Sequence, residues 1–434
     1  MKKKADVSAI KEFEAMREEM TLQDAIIESN RCLLCEDAPC SKGCPAGTDP
    51  GKFIRQIKFQ NYKGAARTIR NNNILGSSCA HICPTEQLCE LGCTASELTH
   101  PINIGGLQQF AISFGKYNNL EPLVATNKTA GKVAVIGAGP AGLACAAELA
   151  KMNYDVTVYE RDSEGGGVLR WNIPDFRLPL KVIEDDLKNV LDLGIEIKYN
   201  ESIDTKEKAD KLLNDFDAIF LGTGLSKPFS LPVLDGFENS KSYIDFLRLI
   251  KISKEKAEEL VKDKFISVIG GGSAAIDCAA SAVALGAKRV YVIHRRDEFR
   301  ALPEEIELGH ELNIVFKPSI KITSVKSKDN KIIAIKGNEV DYKIGNIVDI
   351  EDTEFSLRSD VVIQSIGTYS VINELFPDLE TYSKGCVVSK DSVTNQSKVF
   401  AGGDLINGGT TAVQAIGEGK KAAMAIDNFI KGGK

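Results

Sequence analysis

One pattern, a short β-branched strand followed by a glycine-rich turn, a helix and a second strand, occurs twice in this chain. The first copy is KVAVIGAGPAGLACAAELAKMNYDVTVYE, from Lys132, and the second is FISVIGGGSAAIDCAASAVALGAKRVYVIHRR, from Phe265. Each copy predicts a parallel βαβ unit that binds a dinucleotide with its pyrophosphate at the helix N-terminus. The sequence therefore predicts an α/β chain with two Rossmann-like domains, the second inserted in the first.

The first copy carries the stronger dinucleotide signals. It has a GxGxxG turn between strand and helix, which allows a tight turn, close approach to a pyrophosphate and close helix packing. Glu160 ends the next strand, where a carboxylate binds ribose hydroxyls. A lone GxGxxG is a weak signal, but this one has its strand, helix and acidic residue in place. The predicted residues are Gly137, Ala138, Gly139, Pro140, Ala141, Gly142, Glu160 and Arg161.

The segments that follow favour FAD at this first site. They include a Gly-Gly pair before LRWNIPDFRLP and an AGGD turn near the C-terminus. Here the chain resembles flavoproteins that bind two dinucleotides, and the resemblance implies that the Gly-Asp pair binds the ribityl and pyrophosphate groups. The next helix would aim its positive end at the flavin pyrimidine ring. The predicted residues are Gly166, Gly167, Leu169, Gly403, Asp404, Thr410 and Thr411, and Arg170 and Trp171 are either contacts or packing residues.

The second copy repeats the turn but differs at the ribose position. Where the first copy has Glu160, the second has His294, Arg295, Arg296 and then Arg300. A carboxylate would repel a 2′-phosphate, whereas arginines can pair with it through bidentate bonds. NADPH is therefore predicted over NADH, and the alternative is a solvated, charged strand end. The predicted residues are Gly271, Gly272, Ser273, Ala274, Arg295, Arg296 and Arg300.

Eight of the 11 cysteines lie between Cys32 and Cys93. They form two runs, Cys32, Cys35, Cys40 and Cys44 and then Cys79, Cys83, Cys89 and Cys93. In a reducing cytosol such a group is more typical of metal binding than of disulfides. A proline after a cysteine recurs in ferredoxin-like ligation, so two iron-sulfur clusters are predicted, with zinc as the alternative. Spacing alone does not assign the ligands.

The cysteine segments resemble the N-terminal part of dihydropyrimidine dehydrogenase, especially its bacterial two-subunit form. The matching motifs are RCLLCEDAPCSKGCPAGTDPGKFI, CAHICPTEQLCELGC and PINIGGLQQF, and the similarity covers essentially the whole chain. The resemblance implies one [4Fe-4S] cluster on Cys32, Cys35, Cys40 and Cys93 and another on Cys44, Cys83, Cys89 and Gln108. It leaves Cys79 as a non-ligand. By itself, a glutamine in an apolar helix indicates only a hydrogen-bonded core amide.

The same resemblance implies two further cofactor contacts. Arg177 of the FRLP segment matches a flavin-contacting position. Ser365, Ile366 and Gly367, after VVIQ, match a position near the nicotinamide. Hydride transfer from nicotinamide to flavin needs stacking and orientation rather than a protein nucleophile, so no catalytic side chain is predicted.

The family resemblance implies an electron-input subunit. Such a subunit oxidises NAD(P)H with FAD and passes electrons through two [4Fe-4S] clusters to a separate FMN-containing subunit, which reduces uracil or thymine to 5,6-dihydropyrimidines. Two alternatives share the modules: the small subunit of glutamate synthase and the large subunit of an NADH-dependent ferredoxin:NADP oxidoreductase. HRRDEFRA also resembles thioredoxin reductase, but Cys278 has no CxxC partner. A non-enzymatic zinc-binding scaffold is the alternative of another class.

Length and charge limit the remaining function classes. A chain of 434 residues can hold two or three domains. A net charge of -6 with interspersed signs gives no basic surface for nucleic acid, and no apolar run is long enough for a membrane span. The amphipathic start MKKKADVSAIKEFEAM lacks the apolar core of a signal peptide, so a cytoplasmic protein is expected.

The change from cysteine-rich helical pattern to strand pattern predicts the domain order. Residues 1–125 are expected to form the helical domain with two clusters, and residues 126–255 the first part of the FAD domain. Residues 256–390 are expected to form the NAD(P)H domain and residues 391–434 the second part of the FAD domain, folded back onto the first. A polar stretch around 326–352 predicts a hairpin at the edge of the second domain.

Overall fold

The fold is taken from a computed structural model that describes residue 10 and residues 19–125, 128–343 and 346–432. The amphipathic N-terminal segment falls outside the described residues apart from Ile10. Within the described ranges, no helix combines the length and the apolar character that crossing a bilayer requires.

Residues 19–125 form the expected helical unit. Its helices are α1 (Leu22–Asn30), α2 (Pro39–Lys42), α3 (Pro50–Lys58), α4 (Tyr62–Asn72), α5 (Gly76–Ile82) and α6 (Ile104–Tyr117), with 3-10 turns at Thr85–Gln87 and Thr94–Glu97. Thr21 begins α1 with a capping box, and Asp49 caps α3, whose first residue is a proline. Apolar residues of α3, α4 and α6 form one buried cluster that holds the cysteine-bearing loops in place.

The first glycine-rich copy forms part of a five-stranded parallel sheet. Its strands are β1 (Lys132–Ile136), β2 (Asp155–Tyr159), β3 (Glu196–Lys198), β4 (Ala218–Leu221) and β18 (Val399–Ala401), in the order β18-β4-β1-β2-β3. Its helices are α7 (Pro140–Lys151), α8 (Val168–Trp171), α9 (Leu180–Leu191), α10 (Lys206–Asp215), α15 (Asp404–Asn407) and α16 (Ala412–Ile430). Because β18 joins this sheet from the far end of the chain, the C-terminal segment does fold back onto the first domain.

The second copy forms another five-stranded parallel sheet. Its strands are β6 (Ser240–Ser242), β7 (Phe265–Ile269), β8 (Arg289–Ile293), β9 (Val315–Lys317) and β14 (Val361–Gln364), in the order β6-β14-β7-β8-β9. Its helices are α11 (Tyr243–Ile252), α12 (Lys254–Val261), α13 (Ser273–Ala284) and α14 (Pro303–Glu311). Two Rossmann-like sheets, one inserted in the other, confirm the predicted fold class.

Four antiparallel strands interrupt the second sheet between β9 and β14. They are β10 (Ile320–Lys328), β11 (Lys331–Lys343), β12 (Asn346–Asp349) and β13 (Phe355–Arg358), and β11 pairs with the other three. The excursion begins earlier than the sequence suggested and is larger than a hairpin. The polar sequence indicated only the exposed part of this sheet. Its other side is apolar, because Ile332 and Ile335 are buried against the second domain.

The inserted unit has different limits from those predicted. β6 pairs with β14, and α11 packs into the second core, so residues 240–252 belong to the second unit rather than the first. After β14, residues 372–387 pack with the first core instead. The chain enters and leaves the second unit beside a short antiparallel pair, β5 (Lys227–Pro228) and β15 (Thr368–Tyr369). A second such pair, β16 (Thr381–Tyr382) and β17 (Cys386–Val387), follows in the chain. The sequence does not indicate these domain boundaries, because strands of two or three residues are too short to show an alternation of polar and apolar residues.

Candidate functional site

The first glycine-rich turn is shaped by contacts that leave no room for a side chain. Gly137 has φ +102°, and a Cβ added there would lie 2.6 Å from the Gly222 carbonyl oxygen. A Cβ on Gly142 would lie only 1.9 Å from the Gly137 oxygen. The third glycine therefore lets α7 sit directly on the turn, and Gly139 caps that helix. The N-terminus of α7 is open to an anionic group, as the motif requires.

A second segment folds over this turn. The Gly166 N–H donates to the Ala138 oxygen at 2.8 Å. Gly167, at φ +53°, approaches Gly139 so closely that an added Cβ would lie 2.9 Å from its Cα. Leu169 is buried beneath them. The predicted pair of glycines thus lies against the predicted pyrophosphate position.

Glu160 braces the same turn from the end of β2. One carboxylate oxygen accepts the Ala138 N–H at 2.7 Å, and the other accepts the Asp162 N–H at 2.9 Å. Burial raises the pKa of Glu160, while these two bonds lower it. Each oxygen keeps a lone pair for a ribose hydroxyl. Arg161, by contrast, is exposed, with Nε 4.0 Å from Asp162.

The C-terminal turn completes the first site. Gly403, at φ +70°, would place a Cβ 2.9 Å from the Ala141 Cβ, so this turn contacts the start of α7. Burial raises the pKa of Asp404, which accepts the Thr410 N–H at 3.3 Å. Thr411 caps the 19-residue helix α16. The structure therefore brings the predicted segments around 137–142, 166–169 and 403–411 together.

The residues around this site fit a flavin dinucleotide. Among the described residues, only the Gly222 oxygen lies within 4.0 Å of a Cβ added to Gly139, which leaves a cradle beside the helix N-terminus. Two buried donors, Trp171 Nε1 and Asn172 Nδ2, have no hydrogen-bond partner among the described residues. Buried donors normally have partners, and flavins present ring nitrogen and carbonyl acceptors. Arg170, in contrast, is used internally, since Nε donates to the Gly165 oxygen at 2.9 Å.

The second turn repeats this construction with different neighbours. Gly270, at φ +149°, would place a Cβ 2.1 Å from the Ser365 oxygen, so the predicted nicotinamide segment lies directly across the turn. Gly272 caps α13, which begins at Ser273, and an added Cβ would meet no atom of the structurally described ranges within 4 Å. Gly367 has φ +100°, and its oxygen accepts the Phe229 N–H at 3.0 Å. The open space beside Gly272 fits a pyrophosphate.

The basic residues surround the second turn. The Arg300 N–H donates to the Gly271 oxygen at 2.6 Å, and the His294 ring packs on Gly271. Burial, and then the charges of the neighbouring arginines, lower the pKa of His294 to about 4. His294 is therefore neutral at pH 7. Arg295 and Arg300 are exposed at the edge of the turn.

Arg177, which the family resemblance implies as a flavin contact, pairs with two carboxylates of the second unit. Its guanidinium Nη1 contacts Asp277 at 2.8 Å and Glu305 at 2.9 Å, both in the second unit. The three side chains are nearly buried. Arg177 thus joins the two dinucleotide units, and a flavin contact by this residue stays a prediction.

The predicted ligands of the first cluster line one cavity. A cavity of about 30 Å³ is walled by Cys32, Cys35, Cys40 and Cys93. Leu34 and Ala38, in the same loop, have φ of +58° and +32°, a strained region that loops shaped around a ligand often adopt. The Ile102 N–H donates to Cys93 Sγ at 3.5 Å, as expected around a ligating sulfur.

The second cysteine set, Cys44, Cys83 and Cys89, lies between the helical unit and the first dinucleotide unit, with Cys89 buried and the other two half-buried. Burial raises the pKa of the Cys83 and Cys89 thiols, and Cys44 interacts with both. Such thiols become thiolates only beside a compensating positive charge, such as that of bound iron. Cys79 is close to this set and accepts the Asn73 Nδ2 hydrogen at 3.4 Å. Gln108 is buried, and its Nε2 donates to the Gly76 oxygen at 2.7 Å, which leaves its oxygen available.

The donor chemistry of these thiols suits a cuboidal iron-sulfur cluster, which cysteine thiolates ligate. Among the described residues, no three Cys, His, Asp or Glu side chains are arranged so that they could hold one metal ion. Zinc needs four ligands at about 2.0–2.3 Å from one point. A [4Fe-4S] group instead spreads its ligands over separate iron atoms.

Sequence reasoning missed the residues that support the turns. Glu418 accepts the Gly403 N–H at 2.7 Å and contacts Asn407 Nδ2 at 3.1 Å, which fixes the Gly-Asp turn. Asp277 and Glu305, the partners of Arg177, were also missed. Carboxylates on helices are ordinarily read as surface residues, and the sequence carries no sign of their burial.

Comparison with known proteins agrees with this arrangement. The family profile described as dihydropyrimidine dehydrogenase domain II, 4Fe-4S cluster, matches residues 9–120, and that of pyridine nucleotide-disulphide oxidoreductases matches residues 131–419. The NAD-dependent dihydropyrimidine dehydrogenase subunit PreT of Escherichia coli K12 is 38% identical over 94% of this chain and 95% of its own length. The PreT subunit of Salmonella typhimurium is 35% identical over 94% of each chain.

Solved structures share the two-domain nucleotide fold. Thioredoxin reductase of T. acidophilum aligns with a TM-score of 0.54 at 18% identity, covering 69% of this chain and 98% of its own. FprA of Mycobacterium tuberculosis in complex with NADPH aligns with a TM-score of 0.57 at 16% identity, covering 68% and 84%. With cluster loops, two glycine-rich turns and relatives along nearly its whole length, the chain belongs to the PreT family of dihydropyrimidine dehydrogenase subunits, which are flavin oxidoreductases with an iron-sulfur domain.

Proposed function

We propose that this chain is the electron-input subunit of a dihydropyrimidine dehydrogenase. When bound, the cofactors would supply hydride transfer from NAD(P)H to FAD and one-electron transfer through two [4Fe-4S] clusters. The protein's own part is to hold the dinucleotides at the turns that begin α7 and α13, and to hold the second cluster, through the Cys44 loop, beside α16. The observation that carries the proposal is the packing of Cys44 and Cys83 against the core of the first dinucleotide unit.

We also propose that a separate FMN-containing subunit accepts the electrons and reduces uracil or thymine. The relatives are named as subunits, which supports a hetero-oligomer. Co-purification from the native cell, followed by mass spectrometry and a dihydropyrimidine assay with NAD(P)H, tests this proposal. Recovery of an FMN protein with that activity would support the proposal. Recovery of a large amidotransferase subunit would contradict it and would indicate glutamate synthase instead.

The ligand sets of the clusters are proposed as the family resemblance implies, and cysteine variants test them. Cys35→Ser should lower iron from about eight to about four atoms per chain, because one of two four-iron clusters is lost. Cys79→Ser is the matched control and should keep all the iron, because Cys79 is proposed as a non-ligand. Iron analysis and EPR of the reduced protein measure both variants. Loss of iron in Cys79→Ser would make Cys79 a ligand in place of Gln108.

We propose NADPH as the preferred donor, because Arg295 and Arg300 are exposed beside the turn that begins α13. The names of the relatives make NADH the competing donor. Replacing both arginines by serine should raise the KM for NADPH by at least about tenfold, since even one bond to a charged group contributes roughly 1.5–3 kcal/mol. The KM for NADH should change little. Steady-state reduction of a dye with each nucleotide measures the effect, and equal or better use of NADH by the unaltered protein would contradict the proposal.

A further inference from the structure

Lys420 lies on α16, but its ammonium group bonds to the cysteine-rich unit. Nζ donates to the Ala46 oxygen at 2.6 Å and to the Asn72 oxygen at 2.5 Å. Ala46 follows Cys44 by two residues, and Asn72 ends α4. One cation therefore ties the helix that begins at the predicted flavin site to the loop that carries a predicted cluster ligand.

The backbone of α16 touches both partners. A Cβ on Gly417 would lie 2.4 Å from the Pro45 oxygen, so the Cys44 loop lies directly on the helix. A Cβ on Gly419 would lie 2.2 Å from the Ala141 oxygen, so the opposite contact is with the start of α7. The helix α16 therefore contacts both the Cys44 loop and the start of the helix that follows the first glycine-rich turn.

Thr48, in the same loop, makes two hydrogen bonds with Cys44, and one of them is donated to the sulfur. The Thr48 N–H donates to Sγ at 3.5 Å, and the Cys44 thiol donates to Thr48 Oγ1 at 3.4 Å. Asn73 Nδ2 donates to Thr48 Oγ1 at 3.2 Å, and Asn72 Nδ2 donates to the Thr48 oxygen at 3.4 Å. Thr48 and Asn73 are buried. Because Lys420 fixes Ala46 and Asn72, it also fixes Thr48, whose N–H donates to the sulfur.

We propose that Lys420 is a positioning residue, which clamps the Cys44 loop to α16 and raises the reduction potential of the second cluster. Hydrogen bonds to cluster sulfurs and nearby positive charge both stabilise the reduced, more negative cluster. Lys420 interacts electrostatically with Cys44, so its charge acts on this ligand. The inference rests on the proposed function only in requiring a cluster at Cys44.

The test compares Lys420→Met with Lys421→Met in the full-length holoprotein. The methionine keeps the apolar stem and removes the charge, and Lys421 is the neighbouring, exposed lysine of the same helix. In Lys420→Met, an EPR-monitored redox titration should show a lower midpoint potential for the second cluster and an unchanged one for the first. Hydrogen exchange of the Thr48 amide should accelerate by about tenfold, because a charged hydrogen-bond pair is lost. Lys421→Met should change neither.

A third variant separates charge from geometry. Lys420→Arg keeps the cation, so its potential should lie between those of the unaltered protein and Lys420→Met. If Lys420→Met and Lys421→Met give the same potential and the same exchange rate, the clamp is refuted. If the unaltered protein holds no iron, the proposed function fails instead, and faster exchange in Lys420→Met alone would still support the clamp.

Discussion

A protein with Gly142→Ala is expected to lose its flavin. The added Cβ would lie 1.9 Å from the Gly137 oxygen, a distance that no packed methyl group tolerates. Either α7 moves away from the turn or the turn opens, and overpacking of this kind costs about 1–3 kcal/mol. Both movements displace the helix N-terminus from the pyrophosphate. Bound flavin should fall by about tenfold or more, because tenfold corresponds to about 1.4 kcal/mol.

The matched control for this variant is Gly272→Ala in the other turn. Gly272 caps α13 as Gly139 caps α7, but a Cβ there meets nothing within 4 Å. Its flavin content should stay at the level of the unaltered protein. Absorbance at 450 nm and the flavin released by heating measure both variants, and iron analysis shows whether the helical unit remains folded. Retention of full flavin by Gly142→Ala would show that the first turn does not carry the cofactor.

The sequence predicts the fold well because local and global signals agree. Apolar strands beside glycine turns leave one arrangement of strand, turn and helix, and the two copies both adopt it. Gly137 and Gly270 illustrate why: each has positive φ and meets a carbonyl oxygen of a neighbouring strand end, a constraint that only glycine satisfies. Cysteine spacing, by contrast, left the ligand sets open, and it is the family resemblance that groups together the four cysteines that wall the first cavity.

What the sequence could not predict are contacts between distant segments. Arg177 and Asp277 are 100 residues apart, and Lys420 and Ala46 are 374 residues apart. Charged side chains carry no local sign of their partners, because pairing depends on how the units dock. The limits of the inserted unit were missed for the same reason, since two-residue strands such as β5 and β15 exist only through pairing with each other.

A buried ion cluster joins the two dinucleotide units, and removal of its arginine is expected to destabilise the protein strongly. The side chains of Arg177, Asp277 and Glu305 are 14%, 8% and 6% exposed. Burial raises the pKa of Asp277, Arg177 offsets part of that rise and Glu305 adds to it, so that the resulting pKa is about 6. A carboxyl whose folded pKa lies above its unfolded value stabilises the fold at low pH. That contribution is complete below about pH 4 and is lost as the pH rises through about 6.

Arg177→Met should therefore destabilise the protein by about 3–5 kcal/mol near neutral pH, because two buried carboxylates lose their only shared cation among the described residues. Without the guanidinium the pKa of Asp277 rises further, so protonation relieves the repulsion at low pH and the loss should be smaller at pH 5 than at pH 8. Urea unfolding at both pH values measures it. Arg67→Met, which removes an exposed pair with Glu121, should cost at most about 1 kcal/mol at either pH. An equal loss of stability at pH 5 and pH 8 in Arg177→Met would contradict this account, because it would mean that the carboxylates do not titrate between these pH values. If they do titrate, adding Asp277→Asn to Arg177→Met should recover part of the stability at pH 8.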